Sequence, residues 1–355
     1  MTIALDATPL AVSTGGVQRY TAELSRALAR AYPDDRYWLV SDQEFPAPAA
    51  PPANLTAGGK PRNFAERKWW AFGLDREIRR LRADVFHGTD FSVPYSKRTP
   101  AVMTLHDLSP WLEPAWQPDA ARIRRRTPWL LRAGFATMVI PPSEAVRRAA
   151  IERFRLDPER VVATPLAAAD ACRPVSVRPP GRPYFLFVGT LEPRKNIARL
   201  IDAWREIRTC HDVDLLLAGR VRSDFAAPSP EPGLRLLGAV AEEELAPLCS
   251  GALAVVYPSL YEGFGLPVLE AMQCGAVVIT SRDPAITEVA AGAAIQVNAL
   301  DAKALAAAME AVVRSPENFA ELRARAVTRA AEFSWERTAR KTREVYESAI
   351  RLHAE

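Results

Sequence analysis

The chain has 355 residues, of which 48% are hydrophobic and 25% are charged. At roughly 100–200 residues per domain this length predicts two domains, and the composition excludes collagen-like, disordered and disulfide-scaffold proteins. The 46 basic and 42 acidic residues leave a net charge of +4. This charge is too small for wholesale binding of a nucleic-acid duplex but is compatible with local anion sites.

Cysteine usage and the N-terminal residues indicate the compartment. The four cysteines are far apart in sequence and include no C-x-x-C pair, so neither a zinc site nor a redox motif is supported. No basic segment followed by a long apolar stretch stands at the N-terminus, so no signal peptide is predicted. No apolar run approaches the ~18 residues of a membrane span. We therefore expect a cytoplasmic protein with reduced thiols at Cys172, Cys210, Cys249 and Cys274.

Short apolar runs alternate with longer amphipathic stretches through the first half, which is typical of βαβ units on a parallel sheet. The first strand is followed by a loop that contains Gly15 and Gly16, and helical spacing of apolar residues predicts a helix over residues 17–31. Residues 43–62 are rich in Pro and Ala and are predicted to form an exposed loop. Strands are predicted at residues 2–7, 37–40, 84–87 and 101–106.

A shift to Pro, Arg and Gly predicts a linker over residues 173–183, between an N-terminal domain of residues 1–172 and a C-terminal domain of residues 184–335. The tail at residues 336–355 is predicted to be a helix that could cross back to the first domain. The expected architecture is two doubly wound, Rossmann-like α/β domains that face a cleft. In the second domain we predict strands at 184–189, 213–218, 253–257 and 276–280, and helices at 196–208, 242–250 and 267–273.

The most informative segment is residues 258–272, PSLYEGFGLPVLEAM, which follows an apolar strand and begins a helix. Its two glycines, Gly263 and Gly265, let backbone N–H groups approach a ligand, and the helix N-terminus favours an anion. Glu262 and Glu270 are poor phosphate ligands but good acceptors for sugar hydroxyls. A charge effect at the helix N-terminus explains either glutamate alone, but not the pair together with both glycines.

This Glu-x7-Glu segment, within Tyr-Glu-Gly-Phe-Gly-Leu-Pro, resembles the signature of the retaining glycosyltransferases of family 4, which have the GT-B fold. The resemblance covers nearly the whole chain. It implies sugar transfer from a nucleotide donor with retention at the anomeric carbon, no metal and no other cofactor, with the donor in the C-terminal domain and the acceptor mainly in the N-terminal one. The other matching segments are Gly15-Gly16 and residues 104–108 (TLHDL), 188–196 (VGTLEPRKN) and 333–337 (FSWER).

A lysine and an arginine stand between a strand and a helix in the VGTLEPRKN segment. Lys195 and Arg194 would there neutralise a diphosphate leaving group, whose negative charge grows as the glycosidic bond breaks. Many relatives carry an Arg directly after the strand glycine, where this chain has Thr190. Arg194 therefore either replaces that arginine, or the pair of cations is weaker.

The resemblance implies roles for further residues. His106 would contact the donor sugar, and Gly15 and Gly16 would approach the donor phosphates. On its own, an ordinary turn and helix start explains the glycine pair about equally well, whereas a structural histidine satisfied by the backbone is the less favoured alternative for His106. The expected catalytic residues are His106, Lys195 and Glu262. The expected donor-binding residues are Gly15, Gly16, Arg194, Lys195, Glu262, Gly263, Phe264, Gly265, Leu266 and Glu270.

No carboxylate of the N-terminal half stands out as the nucleophile that a double displacement would need. The family is thought to use front-face substitution instead, in which the leaving phosphate helps to deprotonate the acceptor. The sequence is compatible with that route.

The GTLEPRKN form resembles bacterial mannosyl- and related hexosyltransferases that build surface polysaccharides, which makes GDP-mannose the first candidate donor. The acceptor is expected to be a glycan, a lipid-linked molecule or a small molecule, and no nucleic acid is expected as a partner. Two alternatives stay open. A sugar-nucleotide epimerase on the same fold would need further acid/base residues, for which no motif is present. A non-catalytic protein that binds nucleotide sugars is disfavoured by the intact site residues.

Residues 122–132 are basic and amphipathic, and would suit contact with anionic lipid headgroups at the inner face of a membrane. A solvated helix face is the favoured interpretation. Trp69 and Trp70 are expected to pack in the core rather than to line an acceptor cleft. The basic residues of the run are Arg122, Arg124, Arg125, Arg126 and Arg132.

Overall fold

The computed structural model of the protein describes residues 1–11, 15–46, 50–61, 63, 66–177 and 181–355. No helix in these ranges is both long enough and apolar enough to span a bilayer. The strands are β1 (Thr2–Asp6), β2 (Arg36–Val40), β3 (Leu55–Ala57), β4 (Val85–Gly88), β5 (Ala101–Thr104), β6 (Met138–Ile140), β7 (Tyr184–Val188), β8 (Asp214–Ala218), β9 (Leu234–Gly238), β10 (Ala254–Tyr257), β11 (Val278–Ser281) and β12 (Ile295–Val297). The helices are α1 (Gly16–Ala31), α2 (Leu74–Leu81), α3 (Ser109–Leu112), α4 (Ala121–Arg132), α5 (Glu144–Phe154), α6 (Ile197–Arg208), α7 (Glu242–Gly251), α8 (Leu266–Gln273), α9 (Pro284–Ala290), α10 (Ala302–Arg314), α11 (Ala320–Ala330) and α12 (Trp335–Ala354).

The chain forms two compact units, Met1–Leu166 with Ser334–Glu355, and Ala167–Phe333. Each contains a parallel six-stranded sheet, in the order β3-β2-β1-β4-β5-β6 in the first unit and β12-β11-β10-β7-β8-β9 in the second. Both orders are that of the doubly wound Rossmann fold, so the predicted fold class is confirmed. The order reverses between β1 and β4 and between β7 and β10. Ligands bind at such switch points, beyond the carboxyl ends of the strands.

The central strands are apolar because helices cover both faces of each sheet. In the first unit Ile3 and Leu5 of β1 are fully buried, and α1 buries Leu24 and Leu28 against the sheet. In the second unit Phe185 and Phe187 of β7 are fully buried. These runs are the ones from which the sequence predicted the strands.

Two glycines fix the carboxyl edge of the second sheet. Gly189 follows β7 and Gly219 follows β8, both with positive φ, at +142° and +151°. A Cβ atom on Gly219 would lie 1.9 Å from the carbonyl oxygen of Gly189. The two strand ends therefore approach more closely than any side chain permits.

Four strands escaped prediction: β3, β6, β9 and β12. One of them, β3, lies inside residues 43–62, where the sequence predicted only an exposed loop, and that prediction is wrong for Leu55–Ala57. All four are edge strands. An edge strand pairs on one side only, so it needs neither the length nor the continuous apolar run of a central strand.

The chain passes between the units at Leu166–Ala167 and at Phe333–Ser334. The sequence predicts these changes at residue 172, before a linker over residues 173–183, and at residue 335. Residues 178–180 of that linker lie outside the described ranges. Helix α12 belongs to the first unit, where the Tyr346 hydroxyl lies 2.7 Å from Nδ1 of the buried His87.

Candidate functional site

The loop from β10 to α8 brings a helix N-terminus to the switch point of the second sheet. Gly265 precedes α8 at φ +93°, and a Cβ atom there would lie 3.1 Å from Cγ1 of Ile286. Pro267 occupies the first turn of the helix, where a missing N–H leaves no hydrogen bond unmade. The N-terminus of α8 therefore lies just beyond β10, at the carboxyl edge of the sheet, with no side chain on the residue that precedes it.

An ion-pair chain runs through the loops that follow β7 and β10. Glu262 joins both predicted cations: its Oε1 lies 2.5 Å from Nζ of Lys195, and its Oε2 lies 3.1 Å from Nη1 of Arg194. Arg194 also pairs with Glu192 at 3.0 Å, and Glu192 pairs with Arg222 at 3.0 Å. These five residues, which we call the ion-pair chain, are all buried or nearly so. The structure thus brings three of the predicted site residues into direct contact.

Burial and the Glu262–Lys195 ion pair shift the pKa values of these two groups in opposite directions. Burial alone would raise the pKa of Glu262, but Arg194 and Lys195 together lower it to about 2. Burial and the neighbouring Arg194 lower the pKa of Lys195 from its ordinary value, although Glu262 opposes them. Glu262 is therefore ionised at neutral pH, and charge-assisted hydrogen bonds to this carboxylate hold the geometry of the loop.

A tyrosine that ends β10 fixes the Lys195 ammonium. Nζ of Lys195 donates a hydrogen bond of 2.6 Å to the Tyr257 hydroxyl and lies 4.9 Å from the centroid of its ring. Phe187 of β7 stacks on the other side of that ring, with the centroids 5.7 Å apart. The ammonium of Lys195 is thus held by the Glu262 carboxylate and by Tyr257, whose ring is in turn stacked on Phe187.

Backbone and side-chain hydrogen bonds tie the two loops together. The Leu260 N–H donates to the carbonyl of Arg194 at 2.9 Å. Asn196, in the left-handed region at φ 59°, donates its side-chain amide to the carbonyls of Pro258 and Ala299. The loops that carry Lys195 and Glu262 therefore form one rigid edge.

The remaining predicted residues of this segment lie in and after the same loop. Phe264 is buried with its ring edge-on to Phe333, at 5.8 Å between centroids. Glu270 lies one turn into α8 and is 4% exposed. Gly263 directly precedes Phe264, and Leu266 is the first residue of α8. Glu270 is thus a buried carboxylate on the helix that begins at the phosphate-binding candidate loop.

Sequence reasoning assigned no role to four residues of this edge. Glu192 and Tyr257 lie in or beside segments that the sequence analysis singled out. Tyr257 is a polar residue at the end of a buried strand, and such a position could have indicated a role in the site. Asp283 precedes a proline, which is typical of a helix N-cap; it caps α9 and accepts a hydrogen bond of 3.2 Å from the Glu262 N–H. Burial raises the pKa of Asp283 to about 6. Arg222 gave no signal in the sequence.

His106 follows β5 in the first unit. Its Nε2 lies 2.7 Å from the carbonyl oxygen of Thr89. Since a carbonyl can only accept, Nε2 carries a proton, and in the neutral form of the ring Nδ1 is then the acceptor atom. Tyr20 and Phe91 meet the imidazole edge-on, at 5.0 and 5.9 Å between centroids. The ring is therefore fixed with Nδ1 as its acceptor atom.

The glycine pair precedes and begins α1. Gly15 is the N-cap with φ +144°, a conformation that other residues rarely adopt. A Cβ atom on either Gly15 or Gly16 would meet nothing within 4 Å. The pair thus leaves open space at the N-terminus of α1.

The basic run forms α4 and divides into two faces. Arg124 donates to the carbonyl of Gln117, and Arg126 turns inward over the ring of Trp70. Trp69 is 3% exposed, so its predicted core position is confirmed, whereas Trp70 is only half-buried. The exposed residues, which fall at helical spacing, are Arg122, Arg125, Trp129 and Arg132.

Comparisons with known proteins agree with this organisation. The family model for glycosyl transferases group 1 matches residues 169–333, and that for glycosyltransferase family 4 matches residues 14–168. The chain is 31% identical over 300 residues to the O-antigen chain mannosyltransferase B of Escherichia coli, covering 79% of this chain and 77% of the relative. It is 33% identical over 168 residues to the MMP alpha-(1->4)-mannosyltransferase of Mycolicibacterium hassiacum, covering 44% of this chain and 41% of that protein.

Solved structures share the fold along the whole chain. The sucrose-phosphate synthase of Thermosynechococcus elongatus superposes with a TM-score of 0.78 at 21% identity, covering 98% of both chains. The Anabaena protein Alr3699/HepE, in complex with UDP and glucose, gives a TM-score of 0.69 at 17% identity, covering 98% of this chain and 99% of the other. At these identities the likeness is one of fold, the two-domain GT-B architecture.

Proposed function

Because the chain belongs to the glycosyltransferases of family 4, we propose that it transfers a mannosyl group from GDP-mannose to a glycan acceptor, with retention at the anomeric carbon. The observation that carries the proposal is the buried contact of Lys195, Arg194 and Glu262 beside the N-terminus of α8. The E. coli relative is named as a mannosyltransferase, which favours this sugar and favours transfer over epimerisation or mere binding.

Lys195 would stabilise the leaving diphosphate. An ammonium has three N–H donors, of which two are directed to Glu262 and Tyr257. No other described residue accepts from Nζ, so one donor is left for a phosphate oxygen. Charge on that oxygen grows toward the transition state, and a fixed cation therefore stabilises the transition state more than the bound donor.

Arg194 would position Glu262 rather than contact phosphate. Its guanidinium donates to Glu192, to the carbonyl of Tyr261 and to Glu262. Through these hydrogen bonds the planar guanidinium of Arg194 holds the loop that carries Glu262. We therefore assign the phosphate to Lys195 and to the N-terminus of α8, and on this assignment Arg194 does not replace the arginine that Thr190 displaces.

The two glutamates would bind the sugars of the donor. Both oxygens of Glu262 are paired, but an ionised carboxylate accepts about four hydrogen bonds, so it can also accept from hydroxyls of the transferred sugar. Glu270 would accept from the ribose hydroxyls. His106, with its Nδ1 lone pair, would accept from a hydroxyl of the donor sugar. No metal is needed in this scheme, and the leaving phosphate takes the proton of the acceptor hydroxyl.

We further propose that the exposed face of α4 contacts anionic lipid headgroups. Arg122, Arg125 and Arg132 flank Trp129, which is 48% exposed. Cations around a tryptophan suit the interface of an anionic membrane. Flotation with vesicles of phosphatidylglycerol and phosphatidylcholine tests this: binding should vanish for pure phosphatidylcholine and for the R122E/R125E double variant.

The reaction is tested with a panel of GDP-mannose, UDP-glucose, dTDP-glucose and ADP-glucose, with and without a mannose-terminated oligosaccharide. We expect GDP release that accelerates with the acceptor, and an α-linked product by NMR. A new sugar nucleotide formed without acceptor would indicate an epimerase instead. Nucleotide binding without any turnover would indicate a non-catalytic protein. A thermal-shift screen identifies the base, since ligand at 100 times its Kd stabilises by about 2.7 kcal/mol.

A further inference from the structure

A buried set of hydrogen bonds joins the C-terminal helix to the central strands of the first sheet. His87 of β4 and Tyr346 of α12 are both 0% exposed. Nδ1 of His87 lies 2.7 Å from the Tyr346 hydroxyl, and its Nε2 lies 2.8 Å from Oγ1 of Thr104, the last residue of β5. The hydroxyl of Tyr20, on α1, lies 2.8 Å from the same Thr104 oxygen. We call these four residues the polar network.

The network holds its geometry without a charge. Burial, with a smaller effect of the His106 charge, lowers the pKa of His87 to about 3, so the ring is neutral near pH 7. A neutral imidazole has one donor and one acceptor nitrogen, and here each nitrogen has one hydroxyl partner. Removal of either hydroxyl would therefore leave a buried nitrogen of His87 without a hydrogen bond.

Stability alone does not account for a histidine at this position. In the sheet His87 pairs with Leu5 of β1 and Val102 of β5, both 0% exposed. Apolar groups of the same shape in place of a buried hydrogen-bonded pair leave a fold about as stable. What the polar network adds is a fixed direction for each of its side chains, since a satisfied buried network specifies one arrangement.

Tyr20 connects the network to His106. A single hydrogen bond, from Nε2 of His106 to the Thr89 carbonyl, locates one corner of the imidazole and leaves its plane free to turn. Edge-on contacts with the rings of Tyr20 and Phe91, at 5.0 and 5.9 Å between centroids, fix that plane. The Tyr20 ring is in turn held at its far end by the hydrogen bond to Thr104. The direction of Nδ1 of His106 thus depends on what holds the Tyr20 hydroxyl.

We propose that the polar network positions His106, setting the direction of its Nδ1 lone pair through the Tyr20 ring. Tyr346, His87 and Thr104 are then positioning residues, and the C-terminal helix takes part in binding of the donor sugar. The proposal rests on the proposed transferase function, in which Nδ1 accepts from a hydroxyl of that sugar. Because GDP lacks the transferred sugar, the network should affect the affinity for GDP-mannose and not that for GDP.

Isothermal titration of the full chain with GDP-mannose and with GDP tests this. Tyr346→Phe keeps the ring and removes one hydroxyl, and we expect it to weaken GDP-mannose binding about three- to tenfold and to leave GDP binding unchanged. The matched control is Tyr184→Phe, at the amino end of β7, which removes a hydroxyl that donates to the Leu248 carbonyl at 2.9 Å. It should bind both ligands as the wild type does. Equal weakening of both ligands by Tyr346→Phe would overturn the proposal.

Thr104 offers a second test that does not depend on the Tyr346 variant. Thr104→Val removes the hydroxyl that joins His87 to Tyr20, whereas Thr104→Ser keeps it. We expect about tenfold weaker GDP-mannose binding for the valine variant and near wild-type binding for the serine variant. Equal affinity of the two variants would contradict a role of the hydroxyl.

A double-mutant cycle shows whether Tyr346 acts through His106. In a His106→Ala background, Tyr346→Phe should cause no further loss of GDP-mannose affinity, whereas two independent losses would add and contradict the proposal.

A readout without ligand separates this proposal from the transferase function. The NMR signal of the His106 Cε1–H group, which lies near the Tyr20 and Phe91 rings, should shift in Tyr346→Phe and stay in place in Tyr184→Phe. If the signal shifts but the wild type binds no GDP-mannose, the donor proposal fails while the positioning stands. If the wild type binds and transfers mannose, and Tyr346→Phe matches it in signal and affinity, the positioning fails.

Discussion

The two switch points of this protein satisfy their charges in opposite ways. In the second unit each member of the ion-pair chain has a counter-charge, from Arg222 to Lys195. In the first unit Asp90 has no partner among the described residues, and Arg126 rests on aromatic rings. The two switch points occupy the same topological position in sheets of the same strand order.

Under the proposed function, the paired edge of the second unit would bind the donor diphosphate. GDP-mannose and the other donors of the proposed assay all carry a diphosphate, so its cation is best fixed before the donor arrives, which avoids reorganisation during the reaction.

Loss of the fixed cation should have the largest effect. Lys195→Ala should lower kcat on the order of 10²–10³, the cost of losing one preorganised donor. Turnover is measured at saturating donor, with the fold checked by circular dichroism. Lys195→Arg should recover only part of the rate, because its fork does not reproduce a compact ammonium. Lys303→Ala, exposed on α10, is the control. Near-normal turnover of a folded Lys195→Ala protein would contradict the role.

Breaking the ion-pair chain should change stability in a pH-dependent way. The pKa of Glu262 is about 2 in the folded state against an ordinary 4.5. Its ionised form therefore stabilises the fold by about 3 kcal/mol above pH 4.5, and this contribution disappears as the pH falls from 4.5 to 2. Glu262→Gln should lose that amount at pH 7, and its difference from the wild type should shrink below pH 4.5.

Urea unfolding at pH 7, 5, 4 and 3 measures this difference. Glu321→Gln, on the exposed side of α11, serves as the control and should match the wild type at each pH. A Glu262→Gln deficit that stays constant down to pH 3 would mean that the ion pairs are not its cause.

The sequence predicted the central strands of both sheets and missed the edges. Strands such as β1 and β7 are buried on both faces, so each appears as a continuous apolar run. Strand β9, in contrast, has exposed Arg235 and Leu236 and pairs only with β8. Pairing with a neighbour determines such a strand more than its own composition, and pairing is not visible in a single segment.

The same limit applies to the candidate sites. Lys195 and Glu262 stand in contiguous motifs next to strong strands, so the sequence singled them out. Arg126, in contrast, lies over the rings of Trp70 and Tyr95, which are more than 30 positions away in sequence. Arg126 was grouped with the exposed arginines of its run, since composition does not distinguish the inward face of α4. Helical phase does not distinguish it either, because Arg126 is four residues after Arg122 and three before Trp129.

A smaller loss is expected at the ribose. Glu270→Gln should weaken binding of free GDP as well as of GDP-mannose by roughly 10–100-fold, because a hydrogen bond to a charged group contributes about 1.5–3 kcal/mol. Isothermal titration with each nucleotide measures the loss. Unchanged affinity for GDP together with a fall in activity would place Glu270 elsewhere than at the ribose.

The smallest effect should come from metal removal. A divalent cation such as Mg²⁺ is bound through carboxylate and phosphate oxygens. The carboxylates at the paired edge are already engaged: Glu262 and Glu192 by cations, and Asp283 by the N–H groups of Ala285, Ile286 and Glu262. Lys195 already provides positive charge for the diphosphate. Incubation with EDTA should therefore leave the transfer rate within twofold, and added Mg²⁺ or Mn²⁺ should not raise it. Activity that EDTA abolishes and either metal restores would mean that Lys195 does not suffice for the leaving group.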